Sequence, residues 1–185
     1  MKTRIEPLLT MADVEAMPDD GTRYEVVEGE LYMSAAPSYF HQRAMLNVAF
    51  AIHAYLIEHP IGEVCSGIGL VFDEYNGVIP DLVFFSNTRK REILVGGRLV
   101  ASPELVVEFV SPGSENSRRD RQVKRKLYGS RGVEEYWIID IQEQTCETYK
   151  LRKRGLERST SLAKSDTLTS PLLPGFSCPV QKLFE

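Results

Sequence analysis

Two acidic residues stand beside or inside apolar runs, where a charged group needs a specific partner. Glu108 lies in the middle of Leu105–Val110, a short run rich in β-branched residues, and Asp81 directly precedes the apolar residues 82–85. A buried carboxylate is costly unless a metal ion, a cation or several donors compensate its charge. If the two runs form neighbouring strands, both carboxylates can hold one cation. Taken separately, Asp81 is also typical of a turn cap and Glu108 of a structural ion pair.

A basic helix is expected next, from about Ser117 to Arg131. Ser117 and Asp120 resemble a capping box at its start, and Gly132 is a plausible stop. Helical spacing puts four residues on one face: Lys124, Leu127, Tyr128 and Arg131. A second apolar strand, residues 136–139, follows and ends at Asp140. This strand–helix–strand unit is expected to carry the chemistry.

The same helix concentrates positive charge in a chain whose formal net charge is −4. Between residues 118 and 131 only Asp120 opposes a set of seven cations: Arg118, Arg119, Arg121, Lys124, Arg125, Lys126 and Arg131. Such a helix can attract phosphate locally. A solvated helix face is the alternative interpretation.

Elements that must position these groups are visible in the patterning. A hairpin is predicted over Tyr24–Met33 with its turn at Glu28-Gly29, and a helix from Ser38 to about His59. The helix carries a broad apolar stripe, which suits a helix packed under a sheet or a dimer interface. Strands are predicted over Val64–Phe72 and Val78–Phe85.

The remaining segments complete a single α/β domain (mixed α+β), residues 1–185, with a mixed central sheet flanked by helices. Residues 1–20 are expected to form a peripheral lead-in, and residues 86–101 a loop or a short helix with a hairpin. A further hairpin, Thr145–Leu151 with Gly155–Ser161, encloses the basic turn Arg152-Lys153-Arg154. Those cations are expected merely to protect an edge strand.

Composition excludes several classes of protein. A chain of 185 residues, 43% hydrophobic and 26% charged, suits one globular domain. Three scattered cysteines without a C-x-x-C pair favour reduced thiols and a cytoplasmic location over disulfides or a zinc site. No apolar run approaches transmembrane length, so no membrane association is expected. The absence of P-loop, G-x-G-x-x-G, G-x-S-x-G and H-E-x-x-H motifs argues against the enzymes that use them.

The chain resembles the Uma2 family, formerly a domain of unknown function, which is placed among the PD-(D/E)XK nucleases with a restriction-endonuclease-like fold. Six segments carry the resemblance, in the expected order: RYEVVEGELY, HQR, IPDLVFF, PELVVEFVSP, DRQVKRKLYGSRGVEEYWIID and LLPGF. The resemblance implies Asp81 and Glu108 as catalytic metal ligands. The usual E-x-K lysine is replaced by Val110, and Lys124 matches the helix position thought to substitute for it. Supporting roles are expected for Glu28, His41 and Asp120.

The function implied is metal-dependent hydrolysis of phosphodiester bonds, in DNA rather than RNA, with Mg²⁺ or Mn²⁺ held by the two carboxylates. The residues expected to position the nucleic acid backbone are Arg118, Arg119, Arg121 and Arg125. A homodimer is expected because duplex cleavage needs two sites. One alternative is a catalytically inactive nucleic-acid-binding or regulatory module that keeps the fold. Another is a different two-carboxylate enzyme such as a glycosidase, although no sugar-binding aromatic pattern is present.

Overall fold

The computed structural model describes residues 7–34, 36–110 and 118–185. Its helices are α1 (Met11–Glu15), α2 (Tyr39–Glu58), α3 (Asn87–Ile93), a π-helix (Arg119–Lys124) that continues directly into α4 (Arg125–Ser130), and a 3-10 helix (Val180–Phe184). Its strands are β1 (Arg23–Val27), β2 (Glu30–Ser34), β3 (Gly62–Ser66), β4 (Leu70–Asp73), β5 (Asn76–Val78), β6 (Leu82–Ser86), β7 (Leu94–Val95), β8 (Arg98–Leu99), β9 (Leu105–Val110), β10 (Glu135–Asp140), β11 (Thr145–Arg152), β12 (Gly155–Leu162), β13 (Thr167–Ser170) and β14 (Leu173–Pro179).

The central sheet has the strand order β12-β11-β10-β9-β6-β3. Strands β9 and β10 run parallel, whereas β6 pairs antiparallel with β9 and β11 antiparallel with β10. The π-helix and α4 supply the crossover between the two parallel strands, as such a connection requires. The mixed α+β fold with a mixed central sheet is therefore confirmed.

Strand β9 shows how the two faces of this sheet are used. Leu105, Val107 and Phe109 join a core with α2 and the C-terminal segment. Val106 and Val110 join a second core on the opposite face, where Leu127 and Tyr128 of α4 pack. Since successive side chains alternate across a strand, Glu108 points to the α4 side. All six side chains of β9 are buried, so both faces of this strand are covered.

Helix α2 forms where its periodicity predicted. Ser38 caps it by accepting the His41 N–H at its hydroxyl, and His59 follows its last turn. The face turned to the sheet is completely apolar except for one residue, and it consists of His41, Ala44, Val48, Ile52 and Leu56.

Two predicted strands are wrong as continuous elements. The segment Val64–Phe72 divides into β3 and β4, and Val78–Phe85 divides into β5 and β6. Gly67 (φ 61°) breaks the first, and its N–H donates to the carbonyl of Asp81 at 3.1 Å. Each break carries the chain between the central sheet and a second sheet of order β2-β1-β5-β4-β8-β7. That crossing leaves Asp81 directly before β6, between the two sheets.

Other predicted elements are confirmed with small shifts. The first hairpin turns at Glu28 and Gly29, both with positive φ, and β11 pairs with β12 around the basic turn. The basic helix ends as expected, with Gly132 at φ 85° after it. Its predicted cap at Ser117 lies outside the described residues. No helix in the described ranges is both long and apolar enough to cross a membrane.

Candidate active site

Asp81 and Glu108 meet because β6 and β9 are neighbours. Leu82 is paired with Val107 in this antiparallel ladder, so Asp81, just before Leu82, comes close to Glu108, just after Val107. Both side chains line the same cavity. The Phe109 N–H donates to Oδ2 of Asp81 at 3.0 Å, which fixes this carboxylate against β9.

Asp81 is held in its ionised form by donors on three sides. Besides the Phe109 N–H, Nε2 of His41 lies 3.2 Å from Oδ2 and an Arg23 guanidinium nitrogen lies 3.4 Å from Oδ1. Burial alone would raise the pKa of Asp81, but the hydrogen bonds from His41 and Phe109 outweigh it and the pKa is lowered. Nδ1 of His41 is buried and has no hydrogen-bond partner among the described residues.

The pKa of Glu108 is shifted in the opposite direction to that of Asp81. Its Oε1 accepts hydrogen bonds from Nζ of Lys124 at 3.0 Å and from the Tyr128 hydroxyl at 2.8 Å. Burial raises the pKa of Glu108 to about 8. The attraction of Lys124 lowers this pKa, but only in part, and repulsion by Asp81 and other acids raises it further. This carboxyl therefore titrates much closer to neutral pH than an exposed glutamate does, although Lys124 is in direct contact with it.

Lys124 is the buried cation of the site. Its Nζ lies 2.9 Å from Oε1 of Glu25, 3.0 Å from Glu108 and 3.9 Å from Asp120. Burial would lower the pKa of Lys124, but these carboxylates raise it far more, so the ammonium stays charged. Burial likewise raises the pKa of Asp120 against the attraction of Lys124 and Arg119. Three acids thus compete for one ammonium group.

The π-helix places Lys124 and Asp120 in the cavity. A π-helix closes each hydrogen-bonded turn over five residues, and such turns are frequent at functional sites. The Asp120 carbonyl also accepts a hydrogen bond from the buried Tyr136 hydroxyl at 3.1 Å. Helical periodicity predicted one regular helix here, and no signal in the sequence distinguishes the π-turn.

Glu25 is the residue that the sequence reasoning missed. The hairpin pattern assigns Glu25 no role in the site, yet its side chain is buried. Its Oε1 accepts the Ile79 N–H at 2.7 Å in addition to Lys124. Alternation along β1 could have identified it, because Glu25 shares a strand face with the buried Val27. Arg23, on that same face, also reaches the site.

The structure separates the predicted supporting residues. His41 and Asp120 lie at the cavity with Asp81, Glu108 and Lys124. Glu28 does not: it is exposed at the hairpin turn, where it pairs with Lys126 at 2.8 Å. The hairpin turn faces outward while the strand before it faces inward, so position 25 rather than position 28 enters the site.

The four predicted backbone-binding arginines do not form one stripe. Arg118 is exposed, whereas Arg119 points into the cavity and donates to the Ser34 hydroxyl at 2.7 Å. Arg121 pairs with Asp140 at 2.8 Å and with Glu147 at 2.6 Å. The Arg125 guanidinium lies 5.2 Å from the centre of the Tyr149 ring. Their role in binding nucleic acid remains a prediction.

Asp81, Glu108 and Lys124 line a cavity of about 360 Å³. Its ionisable lining residues are Arg23, Glu25, His41, Asp81, Glu108, Arg119, Asp120 and Lys124. Carboxylate oxygens suit Mg²⁺ or Mn²⁺, and Mg²⁺ is usually bound by one or two carboxylates together with waters and substrate phosphates. In the described ranges no three Asp, Glu, His or Cys side chains are grouped closely enough to enclose a metal ion. Metal binding by Asp81 and Glu108 stays a prediction from the sequence.

The fold and this cavity define the class of protein, a restriction-endonuclease-like domain. The profile of the Uma2 family, described as "Putative restriction endonuclease", matches residues 11–181, and the chain belongs to that family. A similar solved structure is a "putative nuclease belonging to DUF820" from Anabaena variabilis. It superposes with a TM-score of 0.76 and 16% sequence identity over 95% of this chain and 97% of that chain. A search of curated proteins gives no significant match.

Proposed function

We propose that this protein is an endonuclease that hydrolyses phosphodiester bonds in DNA with the help of Mg²⁺ or Mn²⁺. The observation that supports it best is the meeting of Asp81 and Glu108 beside the buried cation Lys124 in one cavity. Membership of a family described as "Putative restriction endonuclease" supports a nucleic acid substrate.

Asp81 and Glu108 would hold the metal ion. When bound, the ion supplies positive charge that polarises the phosphate and assists formation of the nucleophile. Asp81 is ready as a ligand because it is already ionised and is positioned by His41. Glu108 becomes a ligand on losing its proton, which a second cation beside it would favour.

Lys124 is the chain's own contribution to stabilising the transition state. Negative charge develops on the phosphoryl oxygens during in-line displacement, and a fixed ammonium in a low-dielectric site stabilises it strongly. Glu25 and Asp120 act as positioning residues, since they keep Lys124 charged and in place if Glu108 turns toward the metal. Arg23 and Arg119 add positive charge at the cavity that attracts the phosphate.

Incubation of supercoiled and linear DNA with wild type, with and without Mg²⁺ or Mn²⁺, tests the proposal. We expect cleavage that a chelator abolishes. Calorimetric titration with Mn²⁺ should show markedly weaker binding for Asp81→Asn and Glu108→Gln, and both variants should lose cleavage. Unchanged metal affinity in both variants would exclude the shared site.

A second candidate function is a nucleic-acid-binding or regulatory module without turnover. The direct contact of Lys124 with Glu108 at 3.0 Å favours it, because this pair also serves as a structural ion pair. Such a protein would bind DNA but leave it intact with either metal ion, and Lys124→Ala would change stability alone.

A homodimer acting in the cytoplasm completes the proposal. Cleavage of both strands of a duplex needs two sites, and α2 presents exposed apolar side chains that would cover one another across a two-fold axis: Tyr39, Phe40, Leu46, Phe50 and Ile57. The cysteines Cys65, Cys146 and Cys178 are unpaired, which suits a reducing compartment.

A further inference from the structure

A second concave surface lies behind the catalytic helix, between α4 and the turn of the β11–β12 hairpin. Its volume is about 530 Å³, and we call it the hairpin cleft. Five of its lining residues are cations: Arg125 and Lys126 from the helix, and Arg152, Lys153 and Arg154 from the turn. The cavity that contains Asp81 and Glu108 shares none of these residues.

The cleft has a fixed shape because the helix lies close to the hairpin at Gly129. A Cβ atom at this position would stand 2.8 Å from the backbone nitrogen of Leu156 and 3.4 Å from Cα of Gly155. Glycine therefore allows the close approach that places the basic turn beside α4. The hairpin is paired up to its end, with Arg152 opposite Gly155.

Positive charge in the cleft is only slightly neutralised. Lys126 pairs with the exposed Glu28, and the Arg152 guanidinium donates to the Leu151 carbonyl at 3.1 Å. Within the described ranges no carboxylate forms an ion pair with Lys153 or Arg154. Such a concentration of cations in a chain of net charge −4 needs an anionic partner or solvent to balance it.

The chemistry of the lining favours a chain of phosphates over other anions. One arginine guanidinium group can donate two parallel hydrogen bonds to two oxygens of a phosphate, and a lysine adds a point charge. The lining residues include no aromatic side chain on which a base could stack, so the surface is suited to a backbone rather than to bases. It is also concave, and it lacks the exposed aromatic and large apolar residues with which proteins enter a membrane interface.

We propose that the hairpin cleft binds the phosphodiester backbone of a nucleic acid outside the catalytic cavity. Lys124 faces that cavity, while Arg125 and Lys126, the next two residues of the same helix, face the cleft. The two surfaces therefore lie on different sides of the same helix, so backbone binding in the cleft is separate from the chemistry of the cavity. This inference rests on the proposed nuclease function for the identity of the ligand, but it concerns binding rather than cleavage.

The test is the salt dependence of duplex DNA binding by the full chain in a chelator, where no metal-dependent cleavage occurs. The variant Arg152→Gln/Lys153→Gln/Arg154→Gln should bind more weakly, and its slope of log K against log salt should fall by about two to three. The control Arg91→Gln/Lys164→Gln/Lys182→Gln removes the same charge at exposed positions elsewhere and should keep the wild-type slope.

Two further measurements separate this inference from the proposed function. The substrate bis(p-nitrophenyl) phosphate is too small to reach the cleft from the cavity. Its hydrolysis in the presence of Mn²⁺ should therefore be equal in the hairpin variant and wild type. Failure of wild type to hydrolyse any phosphodiester would refute the nuclease and leave the binding result standing.

Equal salt slopes in the hairpin variant and the control would overturn the cleft as a backbone site. Wild-type binding to phosphatidylserine vesicles as tight as to DNA, abolished in the hairpin variant, would also overturn it in favour of a membrane surface.

Discussion

At the scale of single residues, the electrostatics of the site depend on Lys124. Its ammonium is buried and contacts Glu25 and Glu108 directly, with Asp120 at 3.9 Å. Removing one member of a buried charge network leaves the others uncompensated and typically costs about 3–5 kcal/mol. The same group is the one we assign to transition-state stabilisation, so its loss has two separable consequences.

Lys124→Ala should lower turnover by about two or more orders of magnitude, as expected for one positioned electrostatic group. It should also lower the free energy of unfolding, so activity must be measured where circular dichroism shows the variant folded. Lys126→Ala is the matched control when turnover is measured on bis(p-nitrophenyl) phosphate, because that exposed side chain lines the hairpin cleft and not the catalytic cavity. Full activity in Lys124→Ala, or equal losses in both variants, would remove Lys124 from the mechanism.

Glu108 should make stability depend on pH in the absence of metal. Its pKa rises from 4.5 to about 8 on folding, so between these values the native state holds a proton that the unfolded chain has lost. Stability from this group is complete below pH 4.5 and should fall as pH rises toward about 8, by about 1.4 kcal/mol per pH unit. Urea unfolding in a chelator at several pH values measures the slope. Glu108→Gln should flatten it, and an unchanged slope would assign the proton to another group.

At the scale of elements, the basic helix is divided between structure and solvent. Arg121 is committed to Asp140 and Glu147, which ties the helix to β10 and β11, whereas Arg118 is exposed at its start. Arg121 is therefore expected to stabilise the fold, whereas Arg118, three residues before it, is available to bind phosphate.

Arg118→Gln should reduce the salt slope of log K for duplex DNA by about one if it contacts a phosphate. Arg121→Gln should instead lower the unfolding temperature, because it removes the cation that bridges the partly buried Asp140 and Glu147, while the salt slope changes less. Binding titrations at several salt concentrations and thermal unfolding of both variants distinguish the two effects. A wild-type slope in Arg118→Gln would restrict this position to a solvated surface.

At the scale of the whole molecule, α2 has two apolar faces with different surroundings. One is buried against the central sheet, and the other exposes Leu46, Phe50 and Ile57 by 57%, 71% and 65%. An exposed apolar stripe along one helix is characteristic of an interaction surface. Helical periodicity indicates the buried stripe with Val48, Ile52 and Leu56, but it does not show that Leu46, Phe50 and Ile57 stay exposed.

Phe50→Asp should shift the protein from dimer toward monomer, because it places a charge at the centre of the stripe. Light scattering coupled to size-exclusion chromatography, over a range of protein concentrations, measures the change. Val95→Asp, a substitution at another exposed apolar residue, should leave the mass unchanged. A monomeric wild type at every concentration would contradict the dimer.

Local features of the chain are what the sequence by itself determined. The first hairpin turns at Glu28-Gly29 because both residues take positive φ, and α2 begins after Ser38 because that hydroxyl caps the His41 N–H. The buried strand around Glu108 was also identifiable, since a short apolar run rich in β-branched residues is typical of a buried strand. Each of these depends on residues close together in the chain, whose conformational preferences persist in any fold.

Tertiary structure decided how distant segments meet. Residues 64–72 divide between two sheets, Glu25 rather than Glu28 reaches Lys124, and a π-turn sets the direction of Asp120. Neighbouring strand residues point to opposite faces, so the sheet to which a segment belongs determines which acid is buried and which is solvated. Alternation along β1 can indicate that Glu25 is buried, but only packing and charge compensation between positions 25 and 124 decide that its partner is Lys124.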